Sequence, residues 1–308
     1  MARPRQPCHI AGMTEVPQIF DRAAVLAHRA RAARGFAAHD VLFRETADRL
    51  ADRLADIRRT FPLAVELGAR HGITKGLLDG RGGVERWIEV EAVAGFGPAV
   101  VAEPDFLPFG EATLDLVFAN LALHWTNDLP GALVQVNRAL KPDGLLLATM
   151  FGGEPLRELR QCLLQAESEI EHGAGPRVSP FVDVRDAGML LQRTGFALPV
   201  VDAEIITLTY ADPFALMREL RGMGEGNAVA LRRKSFSRRA TLLRAAEIYA
   251  AEFGTADGRI PATFQIVTLT GWRPAANQQK ALRPGSAAQR LADALGAPEH
   301  SAGEKAGR

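Results

Sequence analysis

Cysteine is scarce in this chain, which limits how the fold can be held together. The 308 residues contain two cysteines, Cys8 and Cys162. Cys8 lies in a predicted tail and Cys162 in a predicted helix, so we expect no structural disulfide. Unpaired thiols are typical of a reducing compartment, and we therefore expect a cytoplasmic protein.

The chain also lacks an excess of charge and long hydrophobic runs. Lys and Arg number 37 against 36 Asp and Glu, which leaves a net charge of +1. Without a strong overall field, no general attraction to nucleic acid is expected. No apolar run approaches the roughly 20 residues that a membrane-spanning helix needs. We therefore expect neither a nucleic-acid partner nor a transmembrane segment.

Signatures of metal sites and of covalent nucleophiles are missing as well. The seven histidines lie far apart, with no paired spacing of the H-x-x-x-H kind. No serine elbow, phosphate-binding P-loop or Cys/His dyad occurs. The sequence therefore predicts no metal site and none of these catalytic motifs.

The first twelve residues, MARPRQPCHIAG, have no apolar core of the kind that secretory signals carry. They are punctuated by proline, and Met13 follows directly. We expect Met13 to be the true start of the protein.

Short apolar segments alternate with helical ones along the middle of the chain. Amphipathic helices are predicted at 21–34 and 41–57, and strands at about 62–67, 86–90, 100–103, 114–120 and 145–150. Strands that alternate with helices at this spacing indicate a parallel sheet. Two last strands, 200–210 and 263–270, are expected to form an antiparallel edge.

The predicted fold class is therefore α/β. We expect a doubly wound, mostly parallel seven-stranded sheet with N-terminal helices and helical insertions in the C-terminal half. One domain is predicted over residues 19–272. A flexible tail at 1–18 and a polar, disordered tail at 273–308 are expected to flank it.

Four polar side chains follow successive predicted strands, namely Glu66, Glu91, Glu103 and Asn120. In a doubly wound sheet the carboxyl ends of the strands line one crevice, so these side chains are expected to converge on one ligand. A carboxylate after the second strand can accept both hydroxyls of a ribose, and one after the third can accept from an adenine amine. Any single acid of this kind is more often a solvated loop residue, and Glu89 competes with Glu91.

Two aromatic residues lie just past the fourth predicted strand, where His124 and Trp125 would face the ligand. Trp125 could stack on the ligand, and His124 could donate a hydrogen bond or move a proton. In the alternative interpretation Trp125 packs a helix against the sheet and the backbone satisfies His124. The sequence favours neither.

An arginine-rich segment stands out in the C-terminal half. Its cations are Arg218, Arg221, Arg232, Arg233, Lys234, Arg238, Arg239 and Arg244. Only Glu219 and Glu225 oppose them in the same stretch. The segment could be a docking face for an acidic partner, although a solvated pair of helices is the better explanation for each residue taken singly.

Several motifs resemble known methyltransferases. Those similar to class I S-adenosylmethionine (SAM) methyltransferases are ELG at 66–68, EPDFLPF at 103–109, LDLV at 114–117 and LKPDG at 140–144. A second group of motifs resembles a narrower family, the methyltransferase-like assembly factor of respiratory complex I and its bacterial relatives. These motifs are LALHWTNDLP at 121–130, MFGG at 150–153, PATFQI at 261–266 and GW at 271–272. The likeness extends from about Ile19 to Trp272.

The resemblance implies SAM as the cofactor and hydroxylation of an arginine in a complex I subunit during early assembly. It places His124 and Trp125 beside the reacting group, as catalytic residues. The residues that it implies for SAM binding are Glu66, Gly68, Arg70, Gly72, Glu91, Glu103, Asp105 and Asn120.

The strand-end aspartates of the family are glutamates here, at 66, 91 and 103, and two further positions depart from its pattern. The family turn follows Asp-x-Gly-x-Gly-x-Gly, and Arg70 stands at its middle glycine. Pro104 has no N–H to offer an adenine ring. The guanidinium of Arg70 could instead hold a carboxylate of a cofactor or a substrate.

Three functions are compatible with these features. The first is a SAM-binding enzyme that modifies a protein substrate, a complex I subunit, by hydroxylation or by methyl transfer. The second is a catalytically inactive assembly chaperone, which Arg70 and Pro104 favour. The third is a small-molecule SAM-dependent methyltransferase, for which the C-terminal half is long.

Overall fold

One sheet of seven strands organises the structure. The strands are β1 (Ala64–Leu67), β2 (Trp87–Glu91), β3 (Val100–Val101), β4 (Leu114–Asn120), β5 (Leu140–Phe151), β6 (Ala197–Tyr210) and β7 (Ile260–Trp272). Their order across the sheet is β3-β2-β1-β4-β5-β7-β6. β1 to β5 run parallel, whereas β7 runs antiparallel to both β5 and β6. The predicted α/β class with a mostly parallel sheet is confirmed.

The computed structural model describes residues 17–78, 80, 82–179, 181–278, 293 and 295–298. The helices in these ranges are α1 (Arg22–Ala32), α2 (Val41–Ala55), α3 (Ile73–Leu78), α4 (Leu129–Ala139), α5 (Arg157–Glu171), α6 (Val184–Arg193), α7 (Pro213–Met223) and α8 (Arg239–Phe253). The chain divides into residues 1–274, which hold the sheet, and residues 275–308. The predicted tail at 1–18, the proposed start at Met13 and most of the predicted C-terminal tail lie outside the described residues.

The central strands are apolar on both faces because helices cover both. Leu116 and Phe118 of β4 pack in one cluster with Leu50 of α2. Val117 of β4, which points the other way, packs in a second cluster with Leu133 of α4. Since side chains alternate along a strand, a strand covered on both faces must be apolar throughout, as the sequence of β4 indicated.

Two details differ from the expected strands. β3 contains only Val100 and Val101, because the chain leaves the sheet before Pro104. Strand β5 begins at Leu140, ahead of the expected start at 145, and within the added part Asp143 adopts a left-handed conformation with φ 65°. The Asp143 N–H donates to the carbonyl of Arg273 at 3.0 Å, so this irregular end of β5 is fixed beside the end of β7.

The start of α1 is attached to the loop that follows β4. Asp21 caps the helix by accepting from the Ala24 N–H at 3.1 Å. The Phe20 N–H donates to the side-chain oxygen of Asn127 at 2.8 Å. Asp128, rather than Asn127, caps α4, since it accepts from the Gly131 N–H at 2.8 Å. These bonds place α1 above the carboxyl ends of the strands.

Asn120, the last residue of β4, ties three elements together. Its side-chain oxygen accepts from the hydroxyls of Thr46 at 2.8 Å and Thr149 at 2.9 Å. Its side-chain nitrogen donates to the carbonyl of Phe43 at 2.8 Å. All four hydrogen-bonding groups are buried, so Asn120 serves the core between α2, β4 and β5 and does not face the crevice, contrary to the sequence-based expectation.

We predict that Asn120→Ala lowers the free energy of unfolding by about 2–4 kcal/mol, because it leaves buried partners unsatisfied and opens a cavity. Asn137→Ala is the matched control, since the side-chain nitrogen of Asn137 has no hydrogen-bond partner among the residues that the structure describes. The control should lose less than about 1 kcal/mol. Urea titrations of both variants measure the difference, and equal losses would contradict a structural role for Asn120.

Candidate functional site

The carboxyl ends of β1, β2 and β4 meet at one edge of the sheet, below α1. The turn after β1 contains Gly68, with φ 75°. A Cβ atom at this position would lie 2.6 Å from the Cβ of Ala122, so only glycine fits. A Cβ atom on Gly72 would lie 2.7 Å from the carboxylate of Glu89. The glycines therefore serve close packing of the turn itself, and we call the space above it the crevice.

Glu66 lies at the end of β1 and is only 1% exposed. Burial raises the pKa of its carboxyl to about 7, although the hydroxyl of Thr74 and the backbone N–H of Lys75 favour the charged form. The charges of Glu89 and Glu91 add to the rise. One carboxylate oxygen of Glu66 has no hydrogen-bond partner. Glu66 thus sits beneath the glycine turn as a buried acid that is half protonated near neutral pH.

Glu91 ends β2 and forms a buried ion pair with Arg29 of α1. The Arg29 Nη1 donates to Glu91 Oε1 at 3.1 Å, and both side chains are almost fully buried. Arg29 Nη2 also donates to the carbonyl of Ala122 at 3.3 Å. Glu91 Oε2 and Arg29 Nε make no hydrogen bond within the described chain. A buried carboxylate with a bare oxygen is therefore present where the sequence predicted one, but a guanidinium already pairs with it.

Glu103 and Asp105 lie in the loop after β3. Arg22 of α1 donates through Nε to Glu103 Oε2 at 2.6 Å. Asp105 accepts from the Asp128 N–H at 3.3 Å. Burial, followed by the charge of Glu103, raises the pKa of the Asp105 carboxyl. Two arginines of α1 therefore pair with acids that were expected to bind an adenosyl ligand: Arg22 with Glu103, and Arg29 with Glu91.

Little space remains between α1 and these acids. The cavity there has a volume of about 30 Å³ and is bordered by Arg22, Arg29, Glu103 and Asp105. Ligand sites usually measure about 300–1,000 Å³. The donors and acceptors of an adenosyl site are present, but the space for the ligand is absent while α1 lies in this position.

Arg70 is fully enclosed, with 2% of its surface exposed. Its guanidinium donates to the carbonyl of Met223 at 2.7 Å and to Glu225 Oε1 at 2.8 Å. The same group lies over the ring of Phe43, 4.2 Å from its centroid, in a cation–π contact. The carboxylate that Arg70 holds therefore belongs to this chain, and not to a cofactor or substrate as the sequence had left open.

Glu225 gathers the remaining polar groups of the site. Its Oε2 accepts from His124 Nε2 at 2.8 Å and from the Trp125 indole N–H at 2.6 Å. Burial by itself raises the pKa of Glu225, but His124 and the Arg70 guanidinium outweigh it and lower the pKa. Glu225 is therefore an anion whose charge Arg70 balances. We call Arg70, His124, Trp125 and Glu225 the Glu225 cluster.

His124 is the neutral member of this cluster. Burial lowers the pKa of its imidazole, and the charges of Arg29 and Arg70 lower it further, against the opposing effect of Glu225. Because its Nε2 faces a carboxylate, the proton of the neutral ring lies on Nε2. Its Nδ1 has no hydrogen-bond partner within the described chain, so it is a buried and bare proton acceptor.

A larger cavity of about 440 Å³ adjoins the Glu225 cluster. Trp125 and Glu225 form part of its wall. Other lining residues come from α1, α5, α7, α8, the end of β5 and residues 155–156, 177–179, 181, 226–227 and 232–233. Phe151, Phe181 and Phe264 supply aromatic surface. We call this space the large cavity.

The structure thus brings together most of the residues that the sequence singled out, but their contacts differ from those expected. Glu91, Glu103 and Asp105 lie around the closed crevice, whereas His124 and Trp125 bind Glu225 at the large cavity. Sequence reasoning missed Arg29 and Glu225. The sequence had offered Glu225 only as one of the two acids that oppose the arginine-rich segment.

Part of the arginine-rich segment is neutralised within the chain. Arg232 pairs with Asp21 at 2.9 Å, and Arg244 pairs with Glu169 at 2.6 Å. Arg233 pairs with Glu171. A docking face for an acidic partner stays a prediction, and it would have to use the other cations of the segment.

Among the described residues, no group of three or more His, Cys, Asp or Glu side chains is arranged to hold a metal ion. Within the same ranges, no helix combines the length and the apolar character needed to cross a membrane.

The methyltransferase domain family matches residues 86–148. Over 266 residues the chain is 42% identical to the arginine-hydroxylase NDUFAF5, mitochondrial, of Danio rerio, covering 83% of this chain and 82% of the relative. The human protein of the same name is 41% identical over 80% of this chain and 74% of its own length. A malonyl-[acyl-carrier protein] O-methyltransferase of Methylovorus is 33% identical over 86% of this chain and 93% of that protein.

Solved structures agree with the fold. The YcgJ protein of Bacillus subtilis superposes with a TM-score of 0.51 at 14% identity, covering 75% of this chain and 100% of that one. The phosphoethanolamine N-methyltransferase 2 of Haemonchus contortus, in complex with phosphomonomethylethanolamine and S-adenosylhomocysteine, gives a TM-score of 0.50 at 15% identity and covers 83% of this chain and 61% of that one. The fold is that of the class I methyltransferases.

The raised pKa of Glu66 predicts a pH-dependent loss of stability. The unfolded chain ionises this group near 4.5 and the folded chain near 7. The stability contribution is therefore complete below pH 4.5, is lost as the pH rises to 7 and is constant above it. We predict that Glu66→Gln raises the free energy of unfolding at pH 8 by up to about 3 kcal/mol, and changes little at low pH.

Urea titrations at pH 5 and pH 8 measure this difference, with Glu111→Gln, which removes an exposed carboxylate paired with Arg138, as the control. Equal effects of Glu66→Gln at both pH values would contradict the burial of a titrating carboxyl.

The buried pair of Arg70 and Glu225 predicts a second effect on stability. Glu225→Gln leaves the Arg70 guanidinium buried without its counter-charge, so the free energy of unfolding should fall by about 3–5 kcal/mol. Arg70→Met in the same chain removes that orphaned charge and should restore part of the loss. If the double variant were no more stable than Glu225→Gln alone, the pair would not be the source of the effect.

Proposed function

Because this chain belongs to the family of the NDUFAF5 arginine-hydroxylases, we propose that it is a SAM-dependent enzyme that modifies an arginine of a protein substrate during the assembly of respiratory complex I. The identity of 42% over 83% of the chain supports the family's activity. The Glu225 cluster carries the structural part of the proposal. It leaves His124 Nδ1 as a proton acceptor without a partner in the described residues, beside Trp125, which borders both the crevice and the large cavity. A free thiol at Cys162 agrees with a cytoplasmic location, which is part of the proposal.

Glu91 and Glu103 would hold the cofactor, since they end β2 and follow β3 at the edge where ligands of this fold bind. Both must first release an arginine of α1. Glu91 Oε2 is buried without a partner among the described residues, so it can accept a hydrogen bond from a hydroxyl group of the ligand. SAM, when bound, supplies an electrophilic methyl group. A displacement of Arg22 and Arg29 therefore precedes binding in this proposal.

The chain's own contribution is to position groups and to take up a proton. Glu225 accepts a hydrogen bond from the Nε2–H of His124, which fixes the tautomer and leaves Nδ1 to receive a proton from the target. Trp125 donates to the same carboxylate and so holds it in place. Arg70 keeps Glu225 ionised, so the four residues act as one unit.

A second function, that of an assembly chaperone without catalysis, is favoured by the closed crevice. The cavity of about 30 Å³ cannot hold an adenosyl group, and Arg70 lies where the family turn carries a glycine. If α1 does not move, the fold and the partner surface remain while the cofactor site is lost. The relative named malonyl-[acyl-carrier protein] O-methyltransferase supports a third possibility, methyl transfer to a substrate other than an arginine.

Calorimetric titration with SAM tests the first proposal against the second. We expect micromolar binding to the full chain, and at least tenfold weaker binding to Glu91→Ala. Arg22→Ala should bind roughly two- to fivefold more tightly, because an exposed ion pair that competes with the ligand is gone. Arg138→Ala, which removes an arginine paired with Glu111, is the matched control and should bind as the native chain does. No binding to the native chain or to Arg22→Ala at millimolar SAM would support the chaperone.

Mass spectrometry of complex I subunits from a deletion strain identifies the reaction. An arginine that lacks an added oxygen in the deletion strain indicates hydroxylation, and one that lacks a methyl group indicates methyl transfer. Unchanged subunits would contradict an enzymatic role in complex I assembly.

A further inference from the structure

The large cavity has an apolar interior that the proposed function does not use. Its volume is about 440 Å³, which is within the range of small-molecule sites. Phe151, Phe264, Leu159 and Leu163 line it. Apolar walls of this extent would be costly to leave in contact with water, so an apolar group is the complementary occupant.

The rim of the large cavity is strongly cationic. It carries the arginines Arg31, Arg177, Arg221, Arg232 and Arg233. Arg177, Arg232 and Arg233 are paired with acidic side chains outside the cavity. Arg31 and Arg221 are exposed, and neither has a hydrogen bond or an acidic partner within the described residues. Two charges at the rim are thus free to pair with a ligand.

Among the described residues that line the cavity, no acid offsets these two charges. Glu225 is the acidic residue among the lining residues, and Arg70 balances it. His28, which also lines the cavity, is held neutral, since burial and then the charge of Arg31 lower the pKa of its imidazole. The field in the cavity is therefore positive, and it repels a guanidinium or an ammonium group.

We propose that the large cavity binds an amphipathic anion: an acyl or aryl chain that ends in a carboxylate or a phosphate. The chain lies between the phenylalanine and leucine side chains, and the anionic head pairs with Arg31 and Arg221. Both guanidiniums present a planar fork of donors, which matches a carboxylate or a phosphate. This inference goes beyond the proposed function, because a cationic arginine target cannot be the ligand of this rim.

Titration calorimetry of the full chain with three probes tests the proposal without any cofactor. Decanoate and decyl phosphate carry the two possible heads, and decyltrimethylammonium carries the same chain with a positive head. We expect saturable one-to-one binding of at least one anion, with the cation at least tenfold weaker. The tighter of the two anions identifies the head group, and so distinguishes a free carboxylic acid from a chain held through a phosphate. Trp125 lines the cavity, so a change in tryptophan fluorescence that persists when Trp87→Phe and Trp272→Phe are combined locates the ligand there.

Variants at the rim distinguish specific recognition of the anionic head from general hydrophobic binding. Arg31→Gln combined with Arg221→Gln should weaken anion binding about tenfold, which corresponds to about 1.4 kcal/mol. Both residues are exposed, so the fold should be retained, as a thermal melt will show. Arg138→Gln, outside the cavity, should bind as the native chain does. Equal binding of anion and cation, full affinity in the double variant, or no binding of either anion would overturn the proposal.

Discussion

The carboxylate of Glu225 is the interaction on which the rest of the site depends. It lies in the segment after α7, yet it accepts hydrogen bonds from Arg70 after β1 and from His124 and Trp125 after β4. A buried anion must be paired. Without the carboxylate, the His124 and Trp125 donors would lose the partner described for them and Arg70 would keep only the carbonyl of Met223. One side chain thus joins the glycine turn, the loop after β4 and the C-terminal helices.

The second constraint is competition for acids at the edge of the sheet. Glu91 and Glu103 stand where the fold places ligands, but Arg29 and Arg22 of α1 occupy them. The two contacts differ in kind. The Arg29 pair is buried, so its separation is costly unless a ligand replaces the guanidinium at once. The Arg22 pair is partly exposed, so it contributes less and opens more easily. α1 is therefore both part of the core and the obstacle to a ligand.

The large cavity and the crevice have opposite chemistry. The crevice offers acceptors on Glu91 and Glu103 and suits a ligand with hydroxyl and amine donors. The large cavity offers guanidiniums on Arg31 and Arg221 around apolar walls and suits an anion. The Glu225 cluster lies between them, since Trp125 and Glu225 also form part of the cavity wall. Two ligands of unlike charge could thus meet at one cluster.

The sequence predicted the sheet well because a strand is recognised from residues that are neighbours in the chain. Runs such as 114–120 and 145–150 are apolar over the length of a strand, and the acids at 66, 91 and 103 mark where the chain leaves the sheet. The site was predicted only in part, because its contacts are not local. Arg70 and Glu225 are separated by 155 positions, and Arg29 and Glu91 by 62, so no periodicity could pair them. Asn120 had the right position but turned toward Thr46 and the core.

Hydrogen–deuterium exchange of the full chain with and without SAM tests the central claim most directly, namely that α1 and the cofactor compete for the same acids. The account predicts that SAM protects the amides around Glu91 and Glu103 while it speeds exchange across α1, because Arg22 and Arg29 have released their partners. Protection at the edge of the sheet with unchanged exchange in α1 would show that the cofactor binds with the helix in place, and would contradict the account.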